Sequence, residues 1–292
     1  MRSDTTAAIL WMCGGLSCLT ALAIASRELT ANLSTLDILF WRSLFGVLIV
    51  IAIMHWHQPL PFIEQIKTRQ MHWHLMRNTA HFGGQCAWLL AIAAIPLAEV
   101  FALEFTTPFW TALLASLFLG ERLNTARLLA MLLGFSGVLI ILQPAGASIH
   151  PASLIMLAGA FGFAISIITT RHITRQDSPL QILFYMTAMQ TLFAATAVTA
   201  NWHWPLGWQW FWLSAAAVAA LGAHYCLTKA LSLADAAVII PIDYLRLPLI
   251  SLVAWWLYQE PLTWPLACGA LLIIAGNAVG LYTEHRRMSG RR

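Results

Sequence analysis

Charge is scarce in this chain. Asp, Glu, Lys and Arg make up 10% of its 292 residues, where a soluble domain carries about 25%. Hydrophobic residues make up 60%, more apolar surface than one core of this length can hide. The excess needs a bilayer as its solvent. The net charge of +4 comes from basic residues that sit singly between apolar runs. No continuous stripe exists to track phosphates, so a nucleic-acid partner is excluded. Paired cysteines are also lacking. Cys13, Cys18, Cys86, Cys226 and Cys268 all fall in apolar stretches without a CxxC, which argues against a disulfide framework or zinc ribbon and for small buried hydrophobes. No polar stretch is long enough for a soluble catalytic domain; the longest link is 55–74. A Walker loop, a GxGxxG after a strand and a Ser-His-Asp order are all absent, so neither ATP-driven pumping nor a cofactor is expected. His55-Trp-His57 and His72-Trp-His74 invite a metal site. Their i, i+2 spacing in a loop, without acidic or cysteine support, predicts none.

What the chain does have is long apolar runs. A spanning helix needs about 20 of them in sequence, and ten windows qualify: 7–25, 35–54, 75–95, 98–118, 125–142, 151–170, 180–199, 209–230, 236–257 and 263–283. The runs are continuous rather than alternating, which favours helices over a β-barrel. Arg2 with the first run resembles a signal peptide, and Ala21-Leu-Ala23 mimics a cleavage site. At 19 residues the run exceeds a secretory core of about 7–15, so it is expected to be the first spanning helix. Turn residues punctuate the links, as in Gln143-Pro-Ala-Gly146 and Asp177-Ser-Pro179.

Lys and Arg orient the bundle. With a cytoplasmic N-terminus, 13 of the 16 basic residues fall inside: Arg2, Lys67, Arg69, Arg77, Arg122, Arg127, Arg171, Arg175, Lys229, Arg286, Arg287, Arg291 and Arg292. Arg27 falls outside, while Arg42 and Arg246 lie within helices. Both termini are therefore expected in the cytoplasm, with the chain multi-pass in an inner membrane as a monomer or homodimer. Trp202, Trp204, Trp208, Trp210 and Trp212 cluster at the outer end of helices seven and eight. They suit an interfacial aromatic belt better than a substrate platform.

The two halves resemble each other. A shift of 139 carries residues 98–142 onto 237–281 without a gap: Glu121 onto Glu260, Gly137 onto Gly276, Glu104 onto Asp243 and Phe105 onto Tyr244. A shift of 144 carries Ile38-Leu-Phe-Trp41 onto Ile182-Leu-Phe-Tyr185. The predicted fold is an all-α membrane protein of ten transmembrane helices in two five-helix repeats, residues 1–145 and 146–292. Because five is odd, the halves are inverted, an architecture common among secondary transporters.

The stretch Pro96-Leu-Ala-Glu-Val-Phe-Ala-Leu-Glu-Phe-Thr-Thr-Pro-Phe-Trp110 resembles the EamA family of the drug/metabolite transporter superfamily. So do Leu119-Gly-Glu-Arg-Leu123, Gly134-Phe-Ser-Gly-Val-Leu-Ile-Ile-Leu-Gln-Pro144 and, more weakly, Tyr258-Gln-Glu-Pro-Leu262. The resemblance spans the chain. It implies a carrier with a central cavity between the halves that moves amino acids, riboflavin, S-adenosylmethionine or drugs. Gln259 stands where the family's motif has Gly. A membrane-embedded enzyme or a channel is the alternative. A carrier saturates and shows counterflow, a channel does not, and an enzyme changes its substrate chemically.

Charges at membrane depth are costly and usually functional. Arg42, Glu104, Asp243 and Arg246 are candidate substrate-binding residues. Asp243 and Arg246 share a helical face and are expected either to pair structurally or to face the cavity. Arg42 and Glu104 are candidates to pair across helices, a contact that the sequence alone does not decide. Glu104 and Asp243 are the candidates for proton coupling. Gln85, Phe105, Trp110, Tyr185, His224, Tyr225 and Tyr244 are assigned to the same central zone as a mostly apolar pocket with orienting polar groups. Pro108, Pro241 and Pro248 are expected to interrupt helices four and nine. Glu121-Arg122 is taken as a structural end-of-helix feature.

Overall fold

The structure is a computed structural model that describes residues 5–57, 61–119, 125–142, 149–197, 203–233, 239 and 242–289. Glu121, Arg122, the 143–146 turn, Trp202 and Pro241 lie outside these residues. The elements are α1 (Thr5–Thr30), α2 (Thr35–His57), a short α3 (Phe62–Gln65), α4 (Met71–Ala94), α5 (Leu97–Glu104) and α6 (Thr107–Leu119). They continue as α7 (Thr125–Leu142), α8 (Pro151–Ile173), α9 (Pro179–Ala197), α10 (Gln209–Leu233), α11 (Arg246–Tyr258) and α12 (Trp264–Ser289). No strand occurs among the described residues.

Local chemistry sets several boundaries. At the start of α2, Ser34 Oγ accepts from the Asp37 N–H at 3.1 Å and donates to its carboxylate at 2.7 Å. At the start of α9, Ser178 and Gln181 exchange backbone and side-chain bonds at 2.7 and 3.3 Å, a capping box. Pro151 opens α8 behind His150, whose ring nitrogen accepts from the Ala152 N–H. Gln259 ends α11 in the left-handed region, φ 55°, and the turn carries Glu260 back toward the bundle.

Five segments are long and apolar enough to cross a bilayer: Thr6–Thr30, Thr35–Trp56, Leu97–Phe118, Pro151–Ile173 and Gln209–Leu233. Shorter apolar helices occupy Leu128–Leu142, Arg246–Tyr258 and Trp264–Val279. α4 has the length, at 24 residues, but carries too many polar side chains to qualify by composition. Leu10, Leu48, Phe118, Leu132, Leu192, Phe211 and Trp256 are exposed around the bundle, the apolar surface that lipid would cover.

The spanning segment Leu97–Phe118 is broken between α5 and α6 at Phe105-Thr106. Pro108 lacks the N–H that would bond the Glu104 carbonyl; the Thr107 hydroxyl donates to it instead, at 2.7 Å. The Phe105 carbonyl, also released, accepts from the Asn277 amide at 3.1 Å. A matching break at Tyr244-Leu245 precedes α11, where Pro248 plays the same part.

Helices pair as α1 with α10, α2 with α9, α4 with α8 and α7 with α12, and α5 meets α11. Small residues allow the closest approaches. A Cβ on Gly137 would sit 2.4 Å from the Gly269 carbonyl oxygen, and one on Gly269 would sit 2.5 Å from that of Gly137. Backbone cannot yield as a side chain does. Gly137→Ala is therefore expected to lower the unfolding midpoint in detergent sharply, at a cost of about 2 kcal/mol or more. Gly83, with nothing within 4 Å of its added Cβ, gains helix propensity of roughly 1 kcal/mol on Gly83→Ala. Equal effects at the two positions would contradict the packing described.

Candidate functional site

One face of α4 carries a run of buried and half-buried polar side chains. His74, Arg77, Asn78, His81, Gln85 and Trp88 fall at spacings of three or four, or side by side, so they share a stripe. By helical rise the stripe runs about 21 Å. Every member is tied to another element. His74 Nε2 lies 2.8 Å from an Asp177 carboxylate oxygen. Arg77 donates to Thr170 Oγ1 at 3.0 Å and to its neighbour Asn78 at 2.6 Å. Asn78 donates to the Met189 sulfur at 3.1 Å. His81 Nδ1 is 2.7 Å from the Gln190 amide nitrogen. Gln85 Oε1 accepts from Arg42 at 2.5 Å. Trp88 donates its indole N–H to Glu104 at 2.9 Å. Satisfied polar networks of this kind are what make polar side chains tolerable at membrane depth.

Beside the middle of this stripe lies a cavity between α2, α4, α9 and α10. Arg42, Ser43, Gly46, Gln85, Met186 and Gln190 line part of its wall. Thr187 and His224 complete its polar lining, and Ala217, Ala220 and Leu221 its apolar side. Ser43 Oγ donates to Gln190 Oε1 at 3.4 Å, which continues the network to His81. The free volume is about 30 Å³, room for roughly two waters.

A second polar centre joins α5 to α11. Arg246 Nη1 binds Glu104 Oε1 at 3.0 Å, and Nη2 lies 3.6 Å from Asp243 Oδ2. Its guanidinium stacks over the Phe105 ring, 4.7 Å to the centroid, and over Phe101 at 5.4 Å. Phe105 packs edge-on to Tyr244 at 5.8 Å. Arg246 thus holds both Glu104 and Asp243.

The expected site residues therefore separate into groups. Arg42, Gln85 and His224 meet at the cavity; Glu104, Phe105, Asp243, Tyr244 and Arg246 meet at the second centre. The candidate pairing of Arg42 with Glu104 does not occur, because Arg246 and Trp88 occupy both Glu104 oxygens. Trp110 lies elsewhere, packed edge-on against Phe135 and Phe161 at 5.1 and 5.6 Å. Tyr185 sits at the 61–70 link, where its hydroxyl donates to the Ile66 carbonyl at 2.5 Å and its ring stacks on His74. Tyr225 points outward, 53% exposed, against Trp11; one position from His224, it is rotated about 100° away on α10. Arg77 is 4% exposed inside α4 rather than a charge of the cytoplasmic loop. Ser43, His81, Thr187 and Gln190 were not anticipated, although the polar spacing on α4 marks His81. Among the described residues no three His, Cys, Asp or Glu side chains gather as a metal site.

A third network ties α1 to the turn between α11 and α12 and to the start of α5. Arg27 donates to the carbonyls of Ile92 and Ile95 and to Glu260 at 3.0 Å. The other Glu260 oxygen accepts from the Leu97 N–H at 2.8 Å. Burial pushes the Glu260 carboxyl pKa up, against the opposing pull of the Leu97 N–H and Arg27.

Several known proteins resemble this chain. The EamA-like transporter family matches the chain twice, over residues 6–143 and 150–281. A riboflavin transporter of Rhizobium johnstonii is 31% identical over 286 residues, covering 95% of this chain and 92% of its own. An S-adenosylmethionine uptake transporter of Rickettsia felis is 24% identical over 266 residues, covering 91% and 89%. A crystal structure with 19% identity superimposes with a TM-score of 0.66 over 96% of this chain and 98% of that one, a likeness of fold.

Proposed function

Because the chain belongs to the EamA-like transporter family, we propose that it moves a small metabolite across the inner membrane by alternating access. On this reading its ten transmembrane helices form two inverted halves, residues 1–145 and 146–292. It is a multi-pass membrane transporter rather than an enzyme. Its relatives are named for riboflavin and S-adenosylmethionine, and a metabolite with a planar ring is the reading carried over to this chain.

The observation that carries the mechanism is an exchange of contacts under the two repeat shifts. A shift of 144 takes Arg42, Ser43 and Gly46 onto Met186, Thr187 and Gln190, and all six line the cavity. The Ser43–Gln190 bond exchanges with the approach of Gly46 to Thr187, where an added Cβ would lie 2.9 Å from the methyl. A shift of 139 exchanges the Gly137–Gly269 contact with Gly276 against the Ala130 carbonyl, 2.6 Å from an added Cβ. It maps Phe105 onto Tyr244, which touch. The α1–α10 pair exchanges with α8–α4. A pseudo-twofold axis in the membrane plane, passing through the cavity, generates this pattern, and two nearly equivalent halves can trade conformations at similar energy.

The cavity is far smaller than the roughly 300–1,000 Å³ of a ligand pocket, so the halves have to part to admit a metabolite. Two ties between the halves are placed to control this. Arg27–Glu260 with Leu97 closes the outer end. His74 and Thr68 on Asp177, at 2.8 and 2.6 Å, close the inner end. Glu104 and Asp243 are both held by Arg246, which favours a structural role for them over proton coupling.

With Arg77 counted as buried in α4, the asymmetry read from the sequence is still 12 basic residues inside to one outside, so both termini are read as cytoplasmic. Reporter fusions after Gln143 and Asn201 should then read periplasmic, and fusions after Gln176 and at the C-terminus cytoplasmic. A swap between these sets removes the inverted ten-helix arrangement.

A further inference from the structure

Almost every described carboxylate has a partner. Glu104 and Asp243 share Arg246. Asp177 has His74 and Thr68, Glu260 has Arg27, Glu28 has the Tyr258 hydroxyl, Glu99 has Ser153 and Asp37 has Ser34. Glu64 is exposed. The buried cations are not balanced in the same way. Arg42 is 5% exposed and Arg77 is 4% exposed, and no described carboxylate lies within ion-pair distance of either. Arg42 has one hydrogen-bond partner among the described residues, Gln85 Oε1, yet a guanidinium carries five N–H donors. It stands seven residues into α2, about 10 Å below the start of the helix, at the wall of the cavity.

Leaving a guanidinium in that position without a counter-charge is costly, and such charges mark substrate pathways. Its symmetry mate under the shift of 144 is Met186, so packing at that position on the axis does not itself demand a cation. The other polar groups on the wall suit the same guest. The Ser43 and Thr187 hydroxyls, which donate to Gln190 Oε1 and the Leu183 carbonyl, can turn to donate to an anion, as can the Gln85 and Gln190 amides after rotation. Arg77 adds a second positive charge lower on the same α4 face. We infer that the substrate carries an anionic group, a carboxylate or a phosphate, that docks on the Arg42 guanidinium at the wall of this cavity. The inference rests on the carrier reading above and narrows its substrate class. The planar fork of Arg42 binds either oxyanion bidentately, and the rest of the molecule lies toward the apolar Ala217, Ala220 and Leu221.

The test uses purified full-length protein and three matched pairs: riboflavin 5′-phosphate with riboflavin, S-adenosylmethionine with its decarboxylated form, and tryptophan with tryptamine. Thermal unfolding is followed with each compound, for wild type, Arg42→Lys and Arg42→Met. At least one anionic member should raise the midpoint of wild type while its partner does not, and the pair that responds tells phosphate from carboxylate. Arg42→Met should weaken that binding on the order of a hundredfold, and Arg42→Lys less. The inference is overturned if no anionic member shifts the midpoint, if the partner lacking the anion binds as well, or if Arg42→Met binds the anionic member undiminished. Uptake of the same compounds into proteoliposomes separates the two levels. Saturable uptake of an anion-free member, undiminished in Arg42→Met, overturns the anion and leaves the carrier intact. No saturable uptake of any member removes the carrier reading as well.

Discussion

Arg246→Ala is expected to be among the most damaging single substitutions, at about 3–5 kcal/mol of stability in detergent. The cause is what it leaves behind. Arg246 is 10% exposed at its side chain, Glu104 17% and Asp243 29%. Removing the guanidinium strands two carboxylates at membrane depth and removes the cation stacked on Phe105. The combined variant Arg246→Met, Glu104→Gln, Asp243→Asn removes every charge and keeps the acceptor for the Trp88 indole N–H. It should recover most of the loss, since replacing a whole buried ion cluster is often close to neutral. Unfolding midpoints of the single and combined variants decide this. Losses that simply add would mean that the three side chains are not an interacting unit.

Arg42→Met should behave in the opposite way. Arg42 has Gln85 but no described carboxylate, so removing it strands no charge. The methionine repeats what its mate Met186 supplies on the other side of the axis. Stability should hold or rise slightly, while transport falls to background. A loss of folded protein comparable to that of Arg246→Ala would mean that Arg42 holds the fold. Two buried arginines, one held by carboxylates and one with no described carboxylate, thus give one variant that damages the fold and one that damages function.

The sequence made the all-helical membrane class legible because its signals are long-range and redundant: long continuous apolar runs and scarce charge recur along the whole chain. The breaks near Pro108 and Pro248 were legible too, because proline removes a definite hydrogen bond. Side-chain direction was not. Tyr225 and His224 are neighbours in sequence, yet one meets Trp11 at the bundle surface and the other the cavity. Only packing against α1 and α2 decides which face is which. Glu104 has two possible arginine partners by depth alone, and the choice of Arg246 depends on α5 meeting α11. The stripe on α4 was hidden by a window that opened at residue 75, which put His74 and Arg77 at a helix end. Reading polar spacing along α4 from Met71 would have joined them to His81 and Gln85.

Alternating access is tested most directly by thiol labelling at the cavity wall. Ser43→Cys is placed in a background with Cys13, Cys18, Cys86, Cys226 and Cys268 replaced. A membrane-impermeant reagent is then applied to whole cells and to inverted vesicles, with and without Glu260→Gln. Position 43 should react from both sides. Weakening the outer tie to Arg27 should raise the rate from outside and lower the rate from inside, because both report one equilibrium. Labelling from one side only, or a rise outside with no fall inside, would contradict a single axial cavity that opens to each face in turn.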